Sequence, residues 1–175
     1  GATVTVGVGQ AFTANAFATT PGASINSVQF VAGGLNVGSA VTVAPYQVTW
    51  TPAAPNSSVA LTAIATDSNN ISTTSTAVNV KVNETPTVTI ASPLSGASFG
   101  VNTAQTITAL VGPTPSFIAS VQFFANGAPL GAVTTPTVPN GSTYAVAWTP
   151  TTASAYNLTA VVTNALGTTA TSAAV

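Results

Sequence analysis

The sequence predicts an all-β protein made of two tandem antiparallel β-sandwiches. Three observations support this fold class: a long internal repeat, apolar residues at every second position, and turn residues at short intervals. Thr and Val, which favour strands, are abundant, whereas Glu, Lys and Arg are scarce and Met is absent. No segment of useful length has the 3.6-residue period of a helix.

The internal repeat covers most of the chain and keeps its order. Three segments return, with an offset that drifts only from 93 to 98 and back to 97: residues 25–38 as 118–131, residues 46–52 as 144–150, and residues 61–67 as 158–164. Because the drift is small, the residues gained or lost fall in loops. A repeat of this length is stronger evidence for the architecture than local secondary-structure patterns are.

Two small domains therefore fit the length better than one large domain. We expect the first domain over residues 1–83 and the second over residues 84–175. The predicted linker consists of Asn83, Glu84, Thr85 and Pro86. Pro86 has no amide donor to continue a strand ladder, so a linker this short favours an extended rod.

The last strand of the second domain is expected to be incomplete, because Val175 aligns with Val78 of the first domain. Two explanations stay open. Either two modules have been excised from a longer array, or a neighbouring subunit supplies the rest of the strand. The start at Gly1, without a charged leader segment, likewise suggests a mature or excised chain.

Each strand is predicted from apolar residues at alternate positions, the period of a strand with one buried face. These stripes are Val4 and Val6; Val28 and Phe30; Tyr46, Val48 and Trp50; Leu61, Ala63 and Ala65; Val78, Val80 and Val82; Val88 and Ile90; Val121 and Phe123; and Tyr144, Val146 and Trp148. Turn signals separate them at Gly33, residues 68–70, Asn126, Asn140 and Gly167. An Asn-Gly pair between such stripes is a strong hairpin signal.

Charge is almost absent from this chain. Lys81 is the only basic residue, and Asp67 and Glu84 are the only acidic ones, which makes 2% charged residues against about 25% in ordinary proteins. This composition excludes a basic nucleic-acid footprint and a polybasic membrane patch. No apolar run reaches the roughly 18 residues of a spanning helix, so we expect no membrane insertion.

An uncharged surface has two interpretations, which the sequence leaves open. Thr, Ser and Asn side chains, with or without glycans, are sufficient to solvate it. Alternatively, the surface packs against identical copies, since nothing repels a neighbour. Val31 and Phe124 lie out of phase with the buried stripes, so we predict that they form a recurrent apolar strip for self-association. Trp50 and Trp148 are in phase and are predicted to be buried.

Catalysis is not expected. The chain has no His and no Cys, which removes the usual triads and most zinc sites. Asp67 and Glu84 are the only carboxylates for acid–base chemistry, and they are interpreted as a turn cap and a solvated linker residue. We predict no cofactor. A weak calcium site at the domain junction is the one metal candidate, formed by Asp67, Asn69, Asn70 and Glu84.

The repeated motifs resemble those of the bacterial Ig-like modules found in tandem on secreted and cell-surface proteins. The residues that carry the resemblance are 28–34, 46–50 and 61–70 in the first unit, and 86–88, 121–127, 144–148 and 156–167 in the second. The resemblance implies immunoglobulin-like sandwiches and an extracellular or cell-surface location. Asn164 stands where the first unit has Asp67, so the second unit lacks the turn acid. Tyr156 is placed to act as a tyrosine corner.

These observations predict a structural subunit of an extracellular fibre, sheath or surface layer, which associates with its own copies through nearly uncharged sandwich faces. The alternative is a spacer or carbohydrate-binding module of a larger secreted enzyme or adhesin. The predicted partners are accordingly a homo-polymer and, for the alternative, a cell-surface glycan. No nucleic-acid partner is expected.

Overall fold

A computed structural model describes residues 1–175, which divide into two compact units, Gly1–Glu84 and Thr85–Val175. Both units are β-sandwiches, and the only helical element is a single 3-10 turn, Pro115–Phe117. The predicted fold class, two tandem immunoglobulin-like sandwiches, is confirmed. No helix of the structure is long and apolar enough to cross a membrane.

The first unit contains eight strands. They are β1 (Thr3–Thr5), β2 (Gln10–Ala14), β3 (Ile25–Ala32), β4 (Leu35–Val41), β5 (Tyr46–Trp50), β6 (Asn56–Asp67), β7 (Ser72–Thr74) and β8 (Val78–Asn83). The larger sheet has the order β1-β8-β6-β3-β4, with β7 also paired to β6, and the smaller sheet pairs β2 with β5. One pair departs from the predicted antiparallel pattern: β1 runs parallel to β8. These strands come from opposite ends of the unit, so no hairpin fixes their relative direction.

The second unit contains seven strands. They are β9 (Thr87–Ser92), β10 (Gln105–Gly112), β11 (Ile118–Ala125), β12 (Ala128–Val133), β13 (Thr143–Trp148), β14 (Leu158–Asn164) and β15 (Thr169–Thr171). One sheet has the order β13-β10-β9 and the other β12-β11-β14-β15. All pairs in this unit are antiparallel.

The predicted hairpin turns are confirmed at the end of the repeated strand. Asn126 and Gly127 join β11 to β12 with φ angles of 49° and 78°. Gly33 and Gly34 join β3 to β4 with φ angles of 57° and 84°. Two consecutive positive φ angles match the twist of the flanking strands, which is why Asn and Gly occupy these positions.

Most residues of the alternating stripes lie in the two cores, although Val78, the first residue of the β8 stripe, is exposed. Phe30 and Phe123, at matching positions of the repeat, are both fully buried. The cluster in the second unit is the larger, with eleven buried residues against three in the first: Val88, Ile107, Ala109, Val111, Val121, Phe123, Ala125, Tyr144, Leu158, Ala160 and Val162, against Ala32, Leu61 and Val80. Trp50 and Trp148 are half-buried and pack against these clusters.

Burial of Tyr144 in the second core predicts a loss of stability at alkaline pH. Burial raises the pKa of its phenol above the ordinary value of about 10. The stabilising contribution of the neutral phenol is therefore complete below that ordinary value and is lost as the pH rises through the raised pKa. We expect the melting temperature of Tyr144→Phe to fall less than that of the wild type between about pH 9 and pH 12. Circular dichroism measures both melting temperatures. An equal fall of the melting temperature in the wild type and in Tyr144→Phe would contradict a stabilising role of the neutral Tyr144 phenol.

Candidate functional site

Asp67 belongs to a turn that occurs in both units. Its Oδ1 atom accepts hydrogen bonds from the backbone amides of Asn69 and Ile71, both at 2.9 Å. Asn164 accepts two amide hydrogen bonds in the matching turn of the second unit, at 2.9 and 3.0 Å. The neutral amide oxygen of Asn164 accepts the same pair of hydrogen bonds as the carboxylate of Asp67, so the role of Asp67 here is to cap a turn.

The structure does not bring Glu84 to the other members of the calcium candidate. Asn56, at the start of β6, lies opposite Val82, while Asp67 is the last residue of this 12-residue strand. At about 3.3 Å per residue the strand spans roughly 36 Å, so Glu84 and Asp67 lie at opposite ends of the first unit. Asn69 and Asn70 lie in the Asp67 turn, where Asn70 has a φ of 59°. No group of three or more His, Cys, Asp or Glu side chains comes together.

The turn assignment predicts a clear ranking of substitutions at Asp67. Asp67→Asn should change the free energy of unfolding by less than about 1 kcal/mol, because Asn caps the matching turn of the second unit. Asp67→Ala should cost about 1–3 kcal/mol, since two amides lose their acceptor. Urea titration of the three proteins measures both values. Stabilisation of the wild type by millimolar Ca²⁺ that Asp67→Asn abolishes would instead support a cation site.

Val31 and Phe124 lie on the outer face of their strands. Both are half-buried, and their neighbours in β3 and β11 alternate with them and are buried. Val31 lies opposite Thr62 on one side and Asn36 on the other, and Phe124 lies opposite Thr159 and Pro129. Their part in self-association stays a prediction.

The predicted linker residues lie at the boundary of the two units. Asn83 is the last residue of β8, and Glu84 ends the first unit. Thr85 and Pro86 begin the second unit, immediately before β9. The stiffness of this connection also stays a prediction.

The surfaces combine very little charge with exposed apolar side chains. Of the three charged residues, Lys81 is exposed, Glu84 is half-buried and Asp67 is buried. Large apolar side chains are exposed on both units, including Phe17 (79%) on the first and Leu94 (76%) on the second. Single exposed apolar residues are ordinary in proteins, but here almost no charge accompanies them.

A cleft of about 540 Å³ in the second unit is the site that the sequence did not predict. One wall is the loop of residues 93–104 that follows β9, and the other is the segment of residues 152–158 that leads into β14. Trp148 and Tyr156 line it and meet edge to face, with ring centroids 4.9 Å apart. The cleft contains no charged side chain, so it is suited to an apolar or hydrogen-bonding partner.

Tyr156 confirms the predicted tyrosine corner. Its hydroxyl donates to the carbonyl of Thr152 at 3.0 Å and lies 2.8 Å from the Thr152 hydroxyl. These hydrogen bonds join Tyr156 to Thr152 within the segment that precedes β14. The Tyr156 ring is thereby held in contact with Trp148. The wall of the cleft is therefore held in place within the unit.

The two sandwiches define a class of module, the immunoglobulin-like β-sandwich. A family model described as "Bacterial Ig domain" matches residues 86–160, which lie within the second unit. The match covers most of the second unit, and the predicted resemblance to bacterial Ig-like domains is confirmed. No curated protein matches the sequence.

Among solved structures, the chain is similar to the fibronectin(III)-like modules of Clostridium thermocellum CbhA, with 23% identity, coverage of 98% of this chain and 87% of that chain, and a TM-score of 0.43. It is also similar to SGBP-B of the Bacteroides ovatus mixed-linkage glucan utilization locus, solved in complex with a mixed-linkage heptasaccharide. There the identity is 14%, with 99% of this chain and 41% of that chain covered and a TM-score of 0.35.

Proposed function

We propose that this chain is a non-catalytic structural segment of an extracellular fibre, sheath or surface layer, and that its copies associate through nearly uncharged sandwich faces. The observation that carries the proposal is the surface, where exposed apolar side chains are accompanied by almost no charge. Net charge normally keeps proteins soluble and monomeric. Without it, contact between copies meets no electrostatic opposition.

The family supports the location and the mechanical role. Bacterial Ig domains usually belong to secreted or surface proteins, which favours an extracellular setting. Each unit is compact and has its own hydrophobic core, as expected of a module that folds separately. In the proposed assembly, apolar contacts and hydrogen bonds of hydroxyl groups hold the sandwiches of neighbouring copies together.

A salt series tests the proposed contacts. Assembly through neutral faces is expected to change its critical concentration by less than about twofold between roughly 0.05 and 1 M sodium chloride, because screening acts on charges. Sodium sulfate, which strengthens apolar burial, should lower the critical concentration and serves as the positive control. Sedimentation of the purified chain measures both. Dissolution of the assembly by sodium chloride would show that ion pairs hold it and would contradict the proposal.

The cleft of the second unit favours one second candidate, a spacer or carbohydrate-binding module of a larger secreted enzyme or adhesin. Aromatic side chains with hydroxyl and amide neighbours are typical of sugar sites, and Trp148, Phe99 and Asn157 supply these groups. The edge-to-face packing of Trp148 on Tyr156 offers no flat platform, however. This candidate predicts a soluble monomer. In its carbohydrate-binding form it also predicts that soluble polysaccharides retard the migration of the chain in native gels.

A further inference from the structure

We infer that one sheet face, which occurs on both units, binds the same face of a second copy of this chain. We call it the repeat face. It consists of the outward residues of β3, β6 and β7 in the first unit and of β11, β14 and β15 in the second. Each copy therefore carries two repeat faces and is able to join two neighbours. The inference rests on the proposed self-assembly and names the surface that produces it.

Three cross-strand rows form the repeat face of the first unit. Directly paired residues lie on the same side of a sheet, so the register of β3, β6 and β7 defines each row. The rows are Ser27, Thr66 and Ser72; Gln29, Ile64 and Thr74; and Val31 and Thr62. Val28 and Phe30, which alternate with the row residues in β3, are fully buried, so the rows point away from the core.

The second unit repeats these rows position by position. They are Ser120, Thr163 and Thr169; Gln122, Val161 and Thr171; and Phe124 and Thr159. Val121 and Phe123 alternate with the row residues in β11 and are fully buried. Each unit thus presents a row of hydroxyl groups, a row with a glutamine amide beside a branched aliphatic side chain, and a row with an apolar side chain beside threonine.

The other sheet of each unit lacks this agreement along β5 and β13. Gln47 and Thr49 point outward from β5, whereas Ala145 and Ala147 occupy the matching positions of β13. Core packing constrains inward residues far more than outward ones. Agreement of the two units on one outward face, and disagreement on the other, therefore indicates that the repeat face has a role beyond the folding of its own unit.

The chemistry of the repeat face selects its partner. Every residue of the rows is uncharged. A charged partner surface would lose water without gaining a counter-charge, which costs free energy. Hydroxyl groups both donate and accept hydrogen bonds, so a row of hydroxyl groups is complementary to a copy of itself. An identical uncharged face meets both conditions, and every copy of this chain supplies one.

Polar side chains of the repeat face are already held in place within each unit. Nε2 of Gln29 donates to the backbone carbonyl of the next residue at 2.9 Å, and Nε2 of Gln122 makes the equivalent bond at 3.2 Å. The hydroxyl oxygens of Thr66 and Ser72 lie 2.9 Å apart across their strands. Side chains that are ordered beforehand lose less conformational freedom when a partner covers them, so the face is preorganised for binding.

The repeat face is large enough for a specific contact. It lies on four neighbouring strands in each unit, β4, β3, β6 and β7 or β12, β11, β14 and β15, and β3 and β11 are eight residues long. With about 4.8 Å per strand and about 3.3 Å per residue, such a face measures about 19 by 26 Å. Two of these faces in contact cover about 1,000 Å² in total, which is the lower limit for a specific interface.

Two repeat faces in each chain allow the assembly to grow. A contact between identical faces is isologous and uses one face of each copy. The other face of each copy then binds a further neighbour, so the contacts extend from copy to copy. Since each chain is held by two contacts, a modest affinity at each face is sufficient. An assembly of this kind has no fixed size, as the proposed fibre or layer requires.

Lysine pairs on the repeat face test the inference in the full chain. Thr62→Lys with Thr66→Lys blocks the face of the first unit, and Thr159→Lys with Thr163→Lys blocks the face of the second. Sedimentation velocity should show assemblies larger than dimers for the wild type, dimers for either blocked chain, and monomers when both faces are blocked. Circular dichroism verifies that each variant is folded.

A charge-matched control lies on the other sheet of the first unit. Gln47→Lys with Thr49→Lys, both at exposed positions, should leave the assemblies as large as those of the wild type. Equal disruption by this pair, or continued growth of a chain with one face blocked, would overturn the inference. Assemblies that persist when both faces are blocked would overturn it while leaving the proposed function standing, because they would form through other surfaces. A wild-type chain that is monomeric, or that stops at dimers, would contradict both.

Discussion

Replacement of Phe123 by alanine is expected to lower the free energy of unfolding of the second unit by about 3–5 kcal/mol. Phe123 is fully buried, belongs to β11 at the centre of its sheet, and packs within the eleven-residue core cluster. The loss combines the transfer of a large apolar side chain with the cavity it leaves. Since a domain of this size is stable by only about 5–15 kcal/mol, the unit would become marginal.

The repeat supplies a matched variant in the first unit. Phe30 is also fully buried and lies 4.8 Å from the ring of Phe12, so Phe30→Ala should destabilise the first unit by a similar amount. Because each unit has its own core, calorimetry should show a different transition shifted in each variant. Phe123→Leu, which retains most of the volume, should cost less than about 1.5 kcal/mol. Equal shifts of both transitions by either alanine variant would contradict separate cores.

The second large effect is expected from a charge on the outer sheet face. Phe124→Lys should raise the critical concentration for assembly about thirtyfold or more, because an unpaired ammonium group in a neutral contact costs at least about 2 kcal/mol. Phe124 is half-buried on the outer face of the isolated unit, and the flexible stem of a lysine allows its charged head to reach solvent there. The unit should therefore stay folded, as circular dichroism would verify.

Two control proteins separate charge from shape and position. Phe124→Thr removes the ring without adding charge and should weaken assembly less than Phe124→Lys does. Thr19→Lys adds the same charge at an exposed loop position and should leave the critical concentration nearly unchanged. If Thr19→Lys were as disruptive as Phe124→Lys, net charge would be responsible and the outer face would have no specific role.

The sequence was sufficient to predict those parts of the fold where the repeat and the two-residue period agree. The strands around Phe30, Trp50 and their copies follow from this agreement, as do the hairpin turns at Gly33 and Asn126. β2 and β10 were not predicted. In β2, Phe12 is the only large apolar residue among the three inward positions, so the alternation is weak. Ile107, Ala109 and Val111 of β10 do alternate and could have been found.

The geometry of the candidate functional site was harder to predict from the sequence than the fold was. Capping by Asp67 follows from an acid beside an Asn-Asn turn, but its separation from Glu84 depends on the register of β6 and β8, which the sequence does not specify. The cleft depends on a loop of the second unit, residues 93–104, which is longer than its counterpart at residues 6–9. The additional residues of this loop have no match in the first unit and carry no periodic signal, so the exposure of Leu94 and Phe99 was not predictable from the sequence.

Electron microscopy of the native material, with mass spectrometry of the same sample, tests the proposed function most directly. We predict ordered filaments or lattices in which copies of this chain form the repeating contacts through their sandwich faces. Dispersed monomers would contradict the account. A soluble polypeptide in which these units only connect a catalytic domain to other parts would contradict it equally, and would establish them as spacers.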